Sequence, residues 1–469
     1  MSQERPKPSR RRFLQMSALG AGVWLGGVGS VPAADSAVPS TAKPKRPNFL
    51  LIITDQQGLD TLSGLGNRDI RTPNMDRLVK SGVSFLESHS ANPVCSPARS
   101  SIMTGWMPTE TGVVSNNRPI HERVPHLGKV LGEAGYETVY AGKWHLPYGY
   151  PTEIPGFRVL PVGGGQGDLV DTIVSRSCEA YLRNRSTQRP FFLVASLLQP
   201  HDICYWAIRD QMLVPPELPF PQLKGQLPEL PPNHRARPKA PERLDKIEYT
   251  RFNEEQWRYY NYIYNRQVEM VDADIGRILD ALEGTGEADN TIVCFTADHG
   301  DGRGRHSHVS KWYPYDESVK VPMIFSCPQR LTSDLRDRKH LVSGIDVLPT
   351  LCDFAGVKST GGLWGRSLRP LLEGKDVPWR DFLVMENHFV GRTVRTSRYK
   401  YVHYKDDPVE QLFDMQEDPW EIENLYQRDD LSQVLQEHRG LLAEWNSRLN
   451  VVDPTPEVGK GWRPPTRKA

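Results

Sequence analysis

The sequence predicts an α/β protein: a large mixed, mostly parallel sheet sandwiched by helices, with a smaller C-terminal antiparallel sheet subdomain. Three observations carry this. Continuous apolar runs at 48–54, 190–197 and 291–297 have strand length and read as strands buried on both faces, as a parallel sheet requires. Each run ends on polar residues, and in open α/β sheets ligands bind outside the carboxyl ends of the strands. Beyond about Trp379 the texture changes to short alternating strands at 392–395, 399–404 and 412–415, which fit an antiparallel sheet with its own helix. A chain of 469 residues is also too long for one small core.

The first residues read as a targeting segment. Ser9-Arg10-Arg11-Arg12-Phe13-Leu14-Gln15 matches a twin-arginine pattern, followed by a Gly/Ala-rich, mildly apolar run to Val31 and small residues at Pro32-Ala33-Ala34 suited to cleavage. The expected division is therefore a signal peptide at 1–34, a Pro/Lys-rich linker at 35–46, a catalytic domain at 47–378 and a C-terminal subdomain at 379–469. Passage through the twin-arginine export machinery implies a periplasmic or secreted protein that leaves the cytoplasm already folded. No other segment is apolar enough to span a bilayer, so no stable membrane partner is expected. With 58 Lys+Arg against 57 Asp+Glu, nothing asks for nucleic acid. The six cysteines are scattered, without CxxC or Cys/His zinc spacing.

The elements follow in order. The run 48–54 is a central strand ending on Asp55-Gln56-Gln57-Gly58, which makes Asp55 a candidate ligand. Thr72-Pro73 caps and starts a helix through Leu78. A helix around His126 to Ala134 precedes a strand at 137–141, which leaves Lys143 and His145 on one face of extended backbone. The strand at 190–197 ends at Gln199-Pro200-His201-Asp202. Residues 206–251 are Pro-rich without periodicity and read as a loop insertion near the site. A long helix starts near Asn253, with Val271, Ile275, Ile278 and Leu282 along one buried face. The strand at 291–297 ends on Asp298-His299-Gly300-Asp301, and two distant strands that both finish in Asp plus a second donor can build a metal site across the top of a sheet. Lys311 precedes a strand at 321–325 and a helix at 345–354.

In Cys95-Ser96-Pro97-Ala98-Arg99, Pro97 suits a first helical turn, which places Cys95 just before a helix N-terminus. Aligned N–H groups there favour an anion, and Arg99 one turn later offers a planar charged fork. Taken alone, the same residues also fit a disulfide or a buried thiol beside a surface Arg.

Together these pieces resemble the type I sulfatases of the alkaline phosphatase superfamily from about Arg46 to the last helix. The pieces are the strand ending at Asp55, Cys95-Ser96-Pro97-Ala98-Arg99, Gly142-Lys143-Trp144-His145, Gln199-Pro200-His201, Ala297-Asp298-His299-Gly300, Lys311 to Pro322, and Leu412-Phe413-Asp414-Met415 through Asp418-Pro419 to Asn424-Leu425. The resemblance implies an alkaline phosphatase-like fold. It also implies conversion of Cys95 to formylglycine (3-oxoalanine) by a formylglycine-generating enzyme that reads C-x-P-x-R. A hydrated aldehyde presents two hydroxyls to a hard divalent cation; one attacks sulfur and releases the alcohol, and the other, once deprotonated, expels sulfate. By the same resemblance Asp55 and Asp298 hold the metal with the Cys95-derived oxygen, joined by Gln56 and His299. Arg99 and Lys143 steady the formylglycine and sulfate charges, His145 deprotonates the remaining hydroxyl, and His201 with Lys311 binds sulfate oxygens and assists the leaving group.

Two positions depart from the commonest family pattern. Gln56 stands where a second Asp is usual and is still an oxygen donor, while His299 stands where an Asn is usual and its nitrogen removes some preference for calcium; calcium remains the first expectation and manganese the second. The expected function is an exported sulfatase acting on a sulfated polysaccharide or oligosaccharide. The Asp-Gln and Asp-His pairs also suit the phosphonate monoester hydrolase, phosphodiesterase and choline sulfatase branch, which is the alternative; a catalytically silent carbohydrate-binding relative is a third.

Overall fold

The computed structural model describes residues 46–185, 189–205, 217–218, 220–242, 244, 252–359, 364–387 and 389–458. The targeting segment, the linker up to residue 45 and much of 206–251 lie outside these residues.

Strand β1 (Asn48–Asp55) is buried along its whole length. It sits fourth in an eight-stranded sheet ordered β5 (Arg158–Val159), β4 (Glu137–Gly142), β6 (Phe191–Pro200), β1, β7 (Thr291–Ala297), β8 (Met323–Ser326), β2 (Gly82–Phe85) and β9 (Leu335–Asp337). From β5 to β7 every pairing is parallel, whereas β8 runs antiparallel to both β7 and β2. A second, two-stranded sheet joins β3 (Ser88–His89) to β10 (Val342–Ser343).

Side-chain alternation along β1 explains the layers. Leu50 and Ile52 pack with helices α1 (Pro73–Ser81), α5 (Gly167–Asn184) and α6 (Glu254–Gly284). Phe49, Leu51 and Ile53 point the other way, onto α2 (Cys95–Thr104), α4 (Leu127–Glu133), α8 (Val347–Ala355) and α9 (Arg369–Leu372). Short helices α3 (Pro108–Thr111) and α7 (Asp316–Val319) lie in the connections. Asn253 caps α6 in a box with Gln256. Thr72 is the N-cap residue of α1, but its hydroxyl makes no bond to a helix N–H and donates to the Asp76 carboxylate at 3.0 Å instead. Helix α5 is an addition to the sequence reading, with Val170, Val174, Cys178, Tyr181 and Leu182 buried along one stripe.

The C-terminal sheet is an antiparallel meander of β11 (Phe382–Asn387), β12 (Gly391–Thr396), β13 (Tyr399–Tyr404) and β14 (Glu410–Asp414). Helix α10 (Ser432–Arg448) covers it through Leu435, Leu442 and Trp445. Fully buried Lys400 of β13 reaches into the larger part, with its Nζ 2.8 Å from Asp316 and 2.7 Å from Glu421. The described part of the Pro-rich segment runs against both, through Leu227 and Pro228 carbonyls bonded by Arg258 and a Lys239 carbonyl bonded by Gln411. Among the described residues no helix is long and apolar enough to cross a membrane.

Candidate active site

Parallel register brings several strand ends to one level. Asp55 lies opposite Pro200, Thr54 opposite Ala297, and Gly142 opposite Ser196, so Asp55, Lys143, His201, Asp298 and His299 all issue at the same edge of the sheet. Cys95 arrives from the other layer as the first residue of α2, with extended Val94 as its N-cap. It is thus one position further into the helix than expected, and Pro97 still falls in the first turn.

The side chains of Asp55, Cys95, Asp298 and His299 converge with their donor atoms all within 4.8 Å of one another, and all four are buried. Cys95 Sγ is 3.2 Å from His299 Nε2 and 3.8 Å from Asp55 Oδ1. His299 Nδ1 donates to the Gly300 carbonyl at 2.8 Å, since a carbonyl can only accept. This fixes the tautomer and leaves Nε2 with its lone pair toward the cluster.

Arg99, 1 % exposed, organises the carboxylates. Its Nε donates to Asp298 Oδ2 at 2.8 Å, Nη2 to Asp55 Oδ2 at 2.9 Å, and Nη1 to the Lys143 carbonyl and Ser196 Oγ at 2.9 and 2.7 Å. In place of a fork open to an oxyanion, the guanidinium is committed to aligning the two aspartates. Lys143 Nζ sits 2.8 Å from Asp55 Oδ2. Ser196 and Tyr140, which the sequence reading did not single out, both donate to the Lys143 carbonyl at 2.7 Å and fix that turn.

The electrostatics set burial against the neighbouring basic groups. Burial opposes ionisation of Asp55, but Lys143, His201, Arg99 and His299 together hold its carboxyl well below the usual range. Asp298 is pushed up to about 6, by burial first and then by the charge of Asp55. Burial and Asp55 also work against a Cys95 thiolate, yet Lys143, Lys311 and His299 bring the thiol well below its ordinary value. Burial, then Lys311 and Lys143, drops His201 to about 3, and burial with Lys143 lowers His145.

His145 has a positive φ of 61°, and its carbonyl accepts from Ser96 Oγ at 2.6 Å, so the base candidate is tied to the residue after Cys95. His201 Nε2 is 3.9 Å from Asp55 Oδ1. Nδ1 of each of these rings is buried without a hydrogen-bond partner among the described residues.

Gln56, expected as an oxygen ligand, has another part here. Its Oε1 accepts from Lys311 Nζ at 2.6 Å and its Nε2 donates to Asp301 Oδ2 at 2.6 Å, so it joins the sulfate-binding candidate Lys311 to a buried carboxylate. Tyr260 holds that carboxylate from α6 at 3.0 Å. Asp301 was visible in the sequence beside Asp298, but nothing local tells which of the two meets the cluster. Strain marks the same segments: Gln56, Ser310 and Trp312 have φ values of 66°, 64° and 90°.

A family model described as Sulfatase matches residues 47–357, and one described as N-sulphoglucosamine sulphohydrolase, C-terminal, matches 304–448. The chain is 33 % identical over 441 residues to a Delta 4,5-hexuronate-2-O-sulfatase of Bacteroides thetaiotaomicron, covering 86 % of this chain and 89 % of that protein. A solved structure of a 2-O GAG sulfatase superposes with a TM-score of 0.74 at 30 % identity, covering 88 % of this chain and 98 % of the other. The phosphonate monoester hydrolase of Agrobacterium radiobacter superposes with a TM-score of 0.70 at 25 % identity, over 86 % and 96 % of the two chains.

Proposed function

Because the chain belongs to the sulfatase family of the alkaline phosphatase superfamily, and is a sulfate-ester hydrolase, we propose that it desulfates glycans, glycosaminoglycan fragments first among them. The observation that carries the chemistry is the buried convergence of Asp55, Asp298 and His299 on Cys95. The substrate class is supported by the hexuronate-2-O-sulfatase and 2-O GAG sulfatase relatives.

The donor set fits a divalent cation: two carboxylates fixed by Arg99, and a His299 nitrogen whose lone pair is turned inward. Asp55, Asp298, His299 and the oxygen derived from Cys95 would hold it. We favour calcium, with manganese as the alternative suited to the nitrogen donor. Such an ion polarises bound oxygen and lets a hydroxyl act as nucleophile near neutral pH. The cluster also suits conversion of Cys95 to formylglycine, whose hydrated aldehyde supplies two hydroxyls where a thiol supplies one soft ligand.

The chain's own residues do the rest. Lys143 and Lys311 bring fixed positive charge against the sulfate oxygens, where negative charge grows in the transition state. A bound sulfate offsets the lysines that keep His201 neutral, so His201 can then carry and donate a proton toward the departing alcohol, and neutral His145 removes the proton from the second hydroxyl so that sulfate leaves. Export through the twin-arginine route is part of the same proposal and rests on Arg10-Arg11. Replacing both by Lys should retain the protein in the cytoplasm, and unchanged export of that variant would exclude this route.

Parallel assays test the reading. Protein made beside a formylglycine-generating enzyme is compared on 2-O-sulfated unsaturated hexuronate, 6-O-sulfated N-acetylglucosamine, a phosphate diester and a phosphonate monoester. Sulfate esters should lead by kcat/KM. A lead for the phosphonate or diester would favour the second reading, which His299 and the likeness to a phosphonate monoester hydrolase support. No turnover by aldehyde-bearing, metal-loaded protein would favour a carbohydrate-binding role.

A further inference from the structure

A cavity of about 400 Å³ lies between the segment leading into Cys95 and the C-terminal sheet. Its lining includes Asn92, Glu386, Asn387, Arg392, His403 and Lys405, none of which belongs to the cluster described above. The volume is in the range of small-molecule sites.

Two features tie the cavity to the reacting centre. Asn92 stands three residues before Cys95, so their Cα atoms are at most about 11 Å apart, a span that one or two linked sugar rings cover. On the opposite wall Asn387 Nδ2 donates to the Trp312 carbonyl at 2.7 Å, and the Trp312 N–H donates to the Pro93 carbonyl at 3.3 Å. Trp312 directly follows Lys311, so the wall is hydrogen-bonded to two segments that carry site residues.

The chemistry of the lining points to a sugar that bears an anion. Asn92 is 1 % exposed and its Oδ1 has no hydrogen-bond partner among the described residues. A buried acceptor of that kind is stabilised by a hydroxyl donor. Glu386 is already engaged, accepting from the Thr109 N–H at 3.0 Å and its hydroxyl at 2.7 Å. Register sets Arg392 opposite both Glu386 and His403, and Lys405 follows at the exposed end of β13, with Asp406 beside it. Arg392 is taken up by Glu386 at 3.7 Å and by Asn446 Oδ1 at 2.9 Å, while His403 and Lys405, both exposed, line the cavity together with Asp406.

We infer that this cavity is the subsite for the sugar adjoining the one that loses its sulfate, with Asn92 accepting from a ring hydroxyl and Lys405 and His403 reading a sulfate or carboxylate on that neighbour. The inference rests on the glycan reading above, and it gives the C-terminal sheet a part in substrate selection.

The test uses the full, formylglycine-bearing enzyme and two substrate pairs. In one, 2-O-sulfated unsaturated uronate is joined to N-acetylglucosamine with or without a 6-O-sulfate. In the other, 6-O-sulfated glucosamine is free or joined to a uronate. Rates are normalised to each variant's turnover of 4-nitrophenyl sulfate. Wild-type enzyme should prefer the charged member of at least one pair by about tenfold in kcat/KM, mostly through KM, as expected of one charge-assisted contact. The pair showing that preference identifies sulfate or carboxylate as the recognised group. His403→Ala with Lys405→Ala should reduce the preference to under about twofold. A preference that survives in the double variant, or that is absent from wild type, overturns the subsite alone. Turnover of 4-nitrophenyl sulfate with none of any sulfated sugar overturns the glycan reading, and the subsite with it.

Discussion

At His145 and His201 burial and neighbouring lysines hold both rings neutral, yet their settings differ. His201 approaches Asp55, while His145 is tied through its carbonyl to Ser96, next to Cys95. If His201 serves the leaving group, His201→Ala should slow sugar sulfates by about 10²-fold or more and 4-nitrophenyl sulfate far less, since a good leaving group needs little protonation. If His145 serves sulfate release, His145→Ala should release one equivalent of alcohol in a burst and then stop; steady turnover after the burst would remove that role. For the cluster, chelation should abolish turnover, and Asp55→Asn or Asp298→Asn should cost more than about 100-fold, with calcium restoring only the chelated wild type. Full activity of either variant would sink the ligand assignment, and rescue by manganese alone would point to the His299 nitrogen. Cys95, Asp55 and Asp298 were legible because each stands at the end of an apolar run or in a fixed short motif. The engagement of Arg99 was not, because its two carboxylates come from positions 44 and 199 residues away in the chain.

At the scale of elements, α5 supplies what the strand β6 lacks. Asp171 on α5 is 1 % exposed, and its two oxygens accept from the Leu198 and Gln199 N–H groups at 2.7 Å each, directly before His201. The His201 N–H in turn bonds the Leu198 carbonyl at 3.0 Å. Asp171→Asn keeps one acceptor and turns an amide donor toward the second N–H, so it should let the end of β6 shift. We expect kcat on sugar sulfates to fall by about 10- to 100-fold, with a smaller loss on 4-nitrophenyl sulfate, because the defect reaches the reaction through His201. An equal loss on both would mark a general folding defect. The helix escaped the sequence reading although its buried positions recur at helical spacing, because the stretch follows Gly163-Gly164-Gly165 and mixes Ser, Arg and Asp among its apolar residues. The central strands β1, β6 and β7 did not escape, since a run buried on both faces has no polar positions to blur it, whereas the short β2, β3, β5, β9 and β10 and the first meander strand β11 did.

Across the whole molecule the C-terminal sheet is held to the larger part by the Lys400 ammonium between Asp316 and Glu421. Lys400→Met should destabilise the fold by about 3–5 kcal/mol, read from denaturation midpoints, because it strands buried carboxylates. Glu421 is raised from 4.5 to about 7, chiefly by burial and then, against Lys400, by Asp316 and Glu317. A raised carboxyl favours the folded state most below its unfolded value, so its contribution is lost as pH climbs from 4.5 to about 7. Glu421→Gln should flatten stability across that window, and an unaltered slope would show that other groups set it. Time enters through α2, where every residue from Cys95 to Thr104 is buried. An enzyme that must grip an extended C-x-P-x-R segment finds none to grip once this helix has closed over the sheet. If Cys95 is converted to formylglycine as proposed, maturation and folding are in a race during synthesis, and a chain that folds first should stay a thiol. Adding the maturing enzyme to finished protein should convert almost none of it, while the same enzyme present during translation should convert most.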